Sequence, residues 1–131
     1  MDAKQVIEAV MSALVDNGIV ADSNIFAGRI YPQEAHSNLW CVVCNGGLTD
    51  GGNNAKFKSQ YNVQITAYDT DAEKLYDKDK AVHQALTKLY GNPQIISLDF
   101  GPLQDMDIAG ADQRQIVWNG TITTFVPGWL E

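Results

Sequence analysis

The sequence is poor in basic residues, cysteine and histidine, and it has no long apolar run. Lys and Arg total 9 in 131 residues against 16 Asp and Glu, a formal net charge of −7. Sequence-independent grip on nucleic acid needs clustered Lys and Arg to neutralise phosphates. Here the basic residues are scattered, so no specific nucleic-acid partner is expected. Two cysteines do not make the disulfide framework of a small secreted protein. Met1-Asp2-Ala3-Lys4 does not begin a basic-then-apolar leader. No apolar stretch nears the roughly 18 residues of a membrane-crossing helix. The expectation is folding in a reducing cytoplasm, with no membrane partner. The only histidines are His36 and His83; a four-ligand zinc site would need both cysteines too, and no metal or cofactor is expected.

What is present reads as one domain. Hydrophobic content of 45% and charged content of 19% are those of a globular chain with a core of its own. Residues 3 to about 16 predict a first helix, with Asp2 as N-cap, Gly18 as stop, and Val6, Ile7, Val10 and Leu14 on one face. Gly28 to Pro32 predicts a brief strand, and residues 39–45, apolar on both faces, a central one. Phe57, Tyr61, Val63, Ile65 and Ala67 alternate with Lys58, Gln60, Asn62, Gln64 and Thr66, the period of a long strand with one buried face. Thr70 and Glu73 have the spacing of a capping box. Behind them Leu75, Val82, Leu86 and Leu89, with Ala72 and Ala85, draw the stripe of a second helix that ends at Gly91. Gln94 to Phe100 predicts a strand with Ile96, Leu98 and Phe100 on one face, and residues 114–126 a last one with Ile116, Trp118, Ile122 and Val126 inward. The order helix, strand, strand, strand, helix, strand, strand predicts an α+β fold. Its sheet of about five mostly antiparallel strands carries both helices on one face.

Candidate chemistry is thin. Trp40-Cys41-Val42-Val43-Cys44 has the spacing of a thioredoxin-like redox motif, but that chemistry needs the first cysteine at a helix N-terminus. In a strand, residues three apart lie roughly 10 Å apart on opposite faces, so core cysteines are expected. The glycine-rich run 46–55 lacks the Lys-Ser/Thr ending of a phosphate loop and leads into a strand. Asp105, Asp107 and Asp112 do not have calcium-loop spacing. Acidic and basic residues interleave on the second helix, Lys78 among them, as on a solvated face. No serine or cysteine has a recognisable base partner, so catalysis is not expected. Two long polar loops, 46–55 and 101–113, read as contact surfaces or mobile tips. The outward face of the long strand suits solvent, a neighbouring subunit or a lumen.

Gly28-Arg29-Ile30-Tyr31-Pro32, the Tyr61-Asn62-Val63-Gln64-Ile65-Thr66-Ala67-Tyr68 strand running into an acidic-start helix, and the long closing strand together resemble the tail-completion, or tail-terminator, proteins of long-tailed bacteriophages and prophages. The likeness spans roughly residues 3 to 127 and rests on fold and register, not on a catalytic signature. It implies a structural virion protein, assembled in the host bacterial cytoplasm and resident at the tail or neck. Such a protein forms a ring with itself, a hexamer in the family, that stops tube polymerisation at the head-proximal end. The implied partners are the tail-tube protein and the head–tail connector protein. The contact residues this points to are Leu48, Asp50, Asn53 and Asn54 in the first loop and Gln104, Asp105, Met106, Asp107 and Asp112 in the second. A connector subunit, a tube component and a small binding domain unrelated to phage are the rival readings.

Overall fold

The computed structural model describes residues 1–29, 38–48, 58–107 and 114–125. Asp2 caps the first helix, α1 (Ala3–Asp16): its carboxylate accepts from the Gln5 amide at 2.8 Å, and the Gln5 side chain accepts from the Asp2 amide at 2.9 Å. That reciprocal pair satisfies two amides that a helix start leaves unpartnered. Gly18, at φ +73°, turns the chain out of the helix, and the amides of Gly18 and Ile19 bond back to the Val15 and Leu14 carbonyls. Val6, Val10 and Leu14 point into the core as their spacing predicts.

Six strands form one mixed sheet in the order β1-β2-β3-β6-β4, with β5 also paired to β6. β1 (Ile25–Ala27) runs parallel to β2 (Leu39–Leu48); β2, β3 (Lys58–Asp69) and β6 (Arg114–Phe125) are antiparallel neighbours. β4 (Ile95–Phe100) and β5 (Gln104–Asp107) pair with the two halves of β6. Register sets one face: Ile25, Trp40, Ala67 and Ile116 fall in one cross-sheet row, Val42, Ile65 and Trp118 in the next. All seven are buried, and each aliphatic side chain so removed from water contributes about 1.5–3 kcal/mol. The α+β class holds. The brief first strand lies at Ile25–Ala27, just before the predicted Gly28–Pro32, of which Ile30 to Pro32 lie outside the described residues along with Phe57 and Val126.

The second helix differs from its prediction. It consists of α2 (Ala72–Tyr76), a turn at Asp77-Lys78, α3 (Asp79–Thr87) and a 3₁₀ turn at Lys88–Gly91. The apolar stripe survives the break: Leu75, Val82, Ala85, Leu86 and Leu89 are all buried. The cap is Asp71, whose carboxylate accepts from the Glu73 amide at 3.0 Å, in place of the predicted Thr70 box. The break lets Lys78 turn inward, where its ammonium donates to the Ile19 carbonyl at 2.9 Å and Asn38 Oδ1 at 3.2 Å, 5.6 Å above the Trp40 ring. Lys78 is therefore no part of a solvated face. Burial lowers its pKa, and the nearby Asp69 carboxylate partly offsets this.

A register shift between Ile95 and Ser97 puts Ile95, rather than Ile96, into the core. Phe100 lies on Gly120, where an added Cβ would come within 2.4 Å of the ring and 2.6 Å of the Asp99 carbonyl. Gly120→Ala is expected to lower stability by about 1–3 kcal/mol in urea unfolding. Gly101→Ala, whose Cβ would meet only the Asn119 carbonyl at 3.7 Å, should stay within about 0.5 kcal/mol of the parent.

Candidate docking surface

α1, α2 and α3 lie on the face of the sheet that carries Trp40, Ile65 and Trp118, so strand alternation assigns the other side chains to the opposite face. That face has two unlike halves. At one end, Cys41, Thr66, Tyr68 and Val117 are buried, with Phe26 and Met106 at the two sheet edges 44% and 47% exposed. At the other end, Asn45, Asn62, Gln64, Asn119 and Thr121 line a shallow concavity of about 360 Å³. Gln60 and Thr123 continue it along the sheet. Among the described residues of this face, the charged side chains are Lys58 and Asp99. In a chain of net charge −7, this surface is close to neutral and rich in side chains that both donate and accept hydrogen bonds. Among the described residues, Asp2, Glu8, Asp16, Asp22, Asp71, Glu73, Asp77 and Asp79 put an acidic excess on the helix layer and its connections.

The predicted contact residues are placed unevenly. Asp50, Asn53, Asn54 and Asp112 lie outside the described residues. Leu48 is the last residue of β2, opposite Ser59. Gln104, Asp105, Met106 and Asp107 are not in a loop: they form β5 against Val117, Ile116, Gln115 and Arg114. The physical reason is the length of β6. β4 pairs with residues 120–124 and leaves 114–117 with a free hydrogen-bonding edge that β5 fills. Met106 is therefore held on a rigid element and faces outward. It is the candidate anchor at the edge of the buried half of this face, opposite Gln115 and away from the amide concavity.

β5 is tethered from the helix side. The Asp105 carboxylate accepts from the Tyr76 hydroxyl of α2, and from Arg114 Nη2 at 2.7 Å. The Tyr76 hydrogen bond first, and then Arg114, hold its pKa below the ordinary carboxylate range. Sequence reasoning missed this cluster because its three members lie on three elements, one of them an unpredicted strand.

Cys41 and Cys44 form no disulfide and lie on opposite faces of β2, the first buried and the second half-buried with its pKa raised by burial. His83 meets Asp79 at 3.3 Å, and Asp79 also accepts from the Trp118 indole at 2.8 Å. His36 lies outside the described residues; among those described, no group of three or more metal-ligating side chains converges.

Comparison with known protein families gives no match, and comparison with curated proteins gives none. Among solved structures, a chain from the virion of a native gene transfer agent particle aligns over 95% of this chain and 92% of its own length, at 13% identity and a TM-score of 0.44. At that identity and score the likeness carries no argument about function.

The depressed pKa of Asp105 fixes the sign of its pH dependence. The tether contributes stability above the unfolded-state carboxylate pKa and loses it as pH falls through the lower folded value. NMR titration should place the Asp105 midpoint below that of an ordinary aspartate, and Tyr76→Phe should move it up. Asp105→Asn should speed amide exchange in β5 at neutral pH while leaving β3 protected.

Proposed function

We propose that this chain is a structural subunit of a phage-type tail, a ring-forming cap at the head-proximal end of the tail tube. It acts by presenting surfaces, with no catalytic step. The observation that carries this reading is the open half of the sheet. A surface of Asn, Gln and Thr at Asn45, Asn62, Gln64, Asn119 and Thr121 neither attracts phosphates as Lys and Arg would nor repels them as carboxylates would. Facing the bore, it gives DNA a neutral wall to slide past, while the acidic helix layer faces outward. The resemblance carried by Tyr61 to Tyr68 and by the long closing strand supports the same role.

The ring needs a head-to-tail contact that closes on itself, and its faces meet the tube protein on one side and the connector protein on the other. The chain then works at the tail or neck of the virion after assembly in the bacterial cytoplasm. Met106, exposed on β5, is the side chain assigned to such a contact, since Met is among the residues enriched at interface cores.

Native mass spectrometry of the chain, alone and with tail tubes, tests this reading. A discrete ring, free or bound to tube ends, is the expected result. Long tubes of the chain itself would favour a tube component, and a monomer that ignores tube ends would contradict the proposal. Met106→Asp is expected to leave unfolding within about 0.5 kcal/mol of the parent while reducing the ring or tube-bound fraction at least roughly tenfold, the effect of losing one interface anchor.

A further inference from the structure

Among the described residues no strand pairs with the outer edge of β4, and one side chain closes it. Antiparallel pairing alternates the direction of backbone groups. The Gly101 amide bonds the Asn119 carbonyl at 2.9 Å, and Leu98 pairs with Ile122. Asp99 and Gly101 therefore turn their backbone groups toward β6, and Leu98 turns its own away. That outward amide donates to the Tyr90 hydroxyl at 2.9 Å, and the same hydroxyl donates to the Leu98 carbonyl at a longer 3.4 Å. One phenol thus fills the donor–acceptor pair that a neighbouring strand would take. Tyr90 is 51% exposed, so apolar burial is only part of what holds it there.

The edge that Tyr90 closes is self-complementary. In an antiparallel pair of two β4 strands centred on Leu98, each Leu98 faces its counterpart and exchanges both hydrogen bonds with it. Asp99 then opposes Ser97 of the second copy, so no two carboxylates meet directly. Both Ser97 and Asp99 are exposed. A groove of about 220 Å³ beside the strand, lined by His83, Leu86, Leu98 and Phe100 among others, leaves room for side chains of the incoming strand. The register shift between Ile95 and Ser97 limits the pairable stretch to residues around Leu98, so a cap at its centre is sufficient. We infer that β4 is a latent contact edge between two copies of this chain, and that the Tyr90 hydroxyl keeps it shut. The pairing is two-fold and closed, distinct from the head-to-tail contact of a ring, and the inference does not depend on the ring reading.

Tyr90→Phe tests it by removing the hydroxyl and keeping the ring. Exchange of the Leu98 amide in dilute protein is expected to become roughly five- to tenfold faster, the loss of one hydrogen bond. Sedimentation velocity at rising concentration should show a two-chain species where the parent has none. Adding Ser97→Asp sets a carboxylate against Asp99 of the second copy and should abolish that species. Tyr90→Ser, checked for a native circular dichroism spectrum, repeats the measurement should the phenylalanine variant fold poorly. Unchanged Leu98 exchange, an unchanged size distribution, or a two-chain species indifferent to Ser97→Asp would overturn the inference.

Discussion

Two stacked indoles hold the sheet and the helix layer together. Trp40 and Trp118 come from the strands on either side of β3, and their rings lie 5.4 Å apart and within 7° of parallel. Ala67, between them in the sheet, is small enough to leave the space. Both rings are completely buried, so each indole N–H must find an acceptor or lose about 1–3 kcal/mol of desolvation. Trp40 donates to Asn38 Oδ1 and Trp118 to Asp79 Oδ1, each at 2.8 Å. Those two acceptors fix much else. Asn38 adopts φ +59°, a conformation that asparagine tolerates better than most residues. Asp79 begins α3 where the second helix breaks. Lys78, over the Trp40 ring and bonded to Asn38, requires that break. The buried Asp69 completes the set by accepting from the Asn38 and Asp71 amides.

With one face occupied in this way, the character of the other face follows from strand alternation. β3 and β6 each run for 12 residues, and apart from Lys58 their outward polar positions carry amides and hydroxyls rather than charge. A solvent-exposed sheet face normally mixes Lys, Glu and Thr. Its near neutrality in an acidic chain is the feature most in need of a functional account, and a wall beside a polyanion supplies one. The sheet edges are managed separately: β1 is short, β5 is tethered through Asp105, and β4 is closed by Tyr90.

Much of this was legible in the sequence where a pattern is local. The Asp2 cap, the β3 alternation and the stripe from Leu75 to Leu89 are marked by residues close in sequence, and each sits where it was expected. What was not legible depends on partners distant in sequence. Nothing near Lys78 signals that it turns toward Trp40, so its alternation with acids read as a solvated surface. β5 exists because β6 has an unfilled edge, and its Gln-Asp-Met-Asp sequence has little strand propensity of its own. Burial of Thr66 and Val117 on the outer face likewise has no local marker. For the candidate surface, the sequence supplied the amide face of β3 and Met106 as a residue of interest. That residues 104–107 of the expected polar loop form an edge strand came only with the pairing.

The account rests on the uncharged half of the sheet facing a passage for DNA. A cryo-electron microscopy reconstruction of the chain seated on tail tubes tests it most directly. The account predicts a closed ring with Asn62 and Thr121 lining the bore and α1 and α3 on the outside. A ring with its helices turned to the bore, or tube ends that carry no density for this chain, would contradict it.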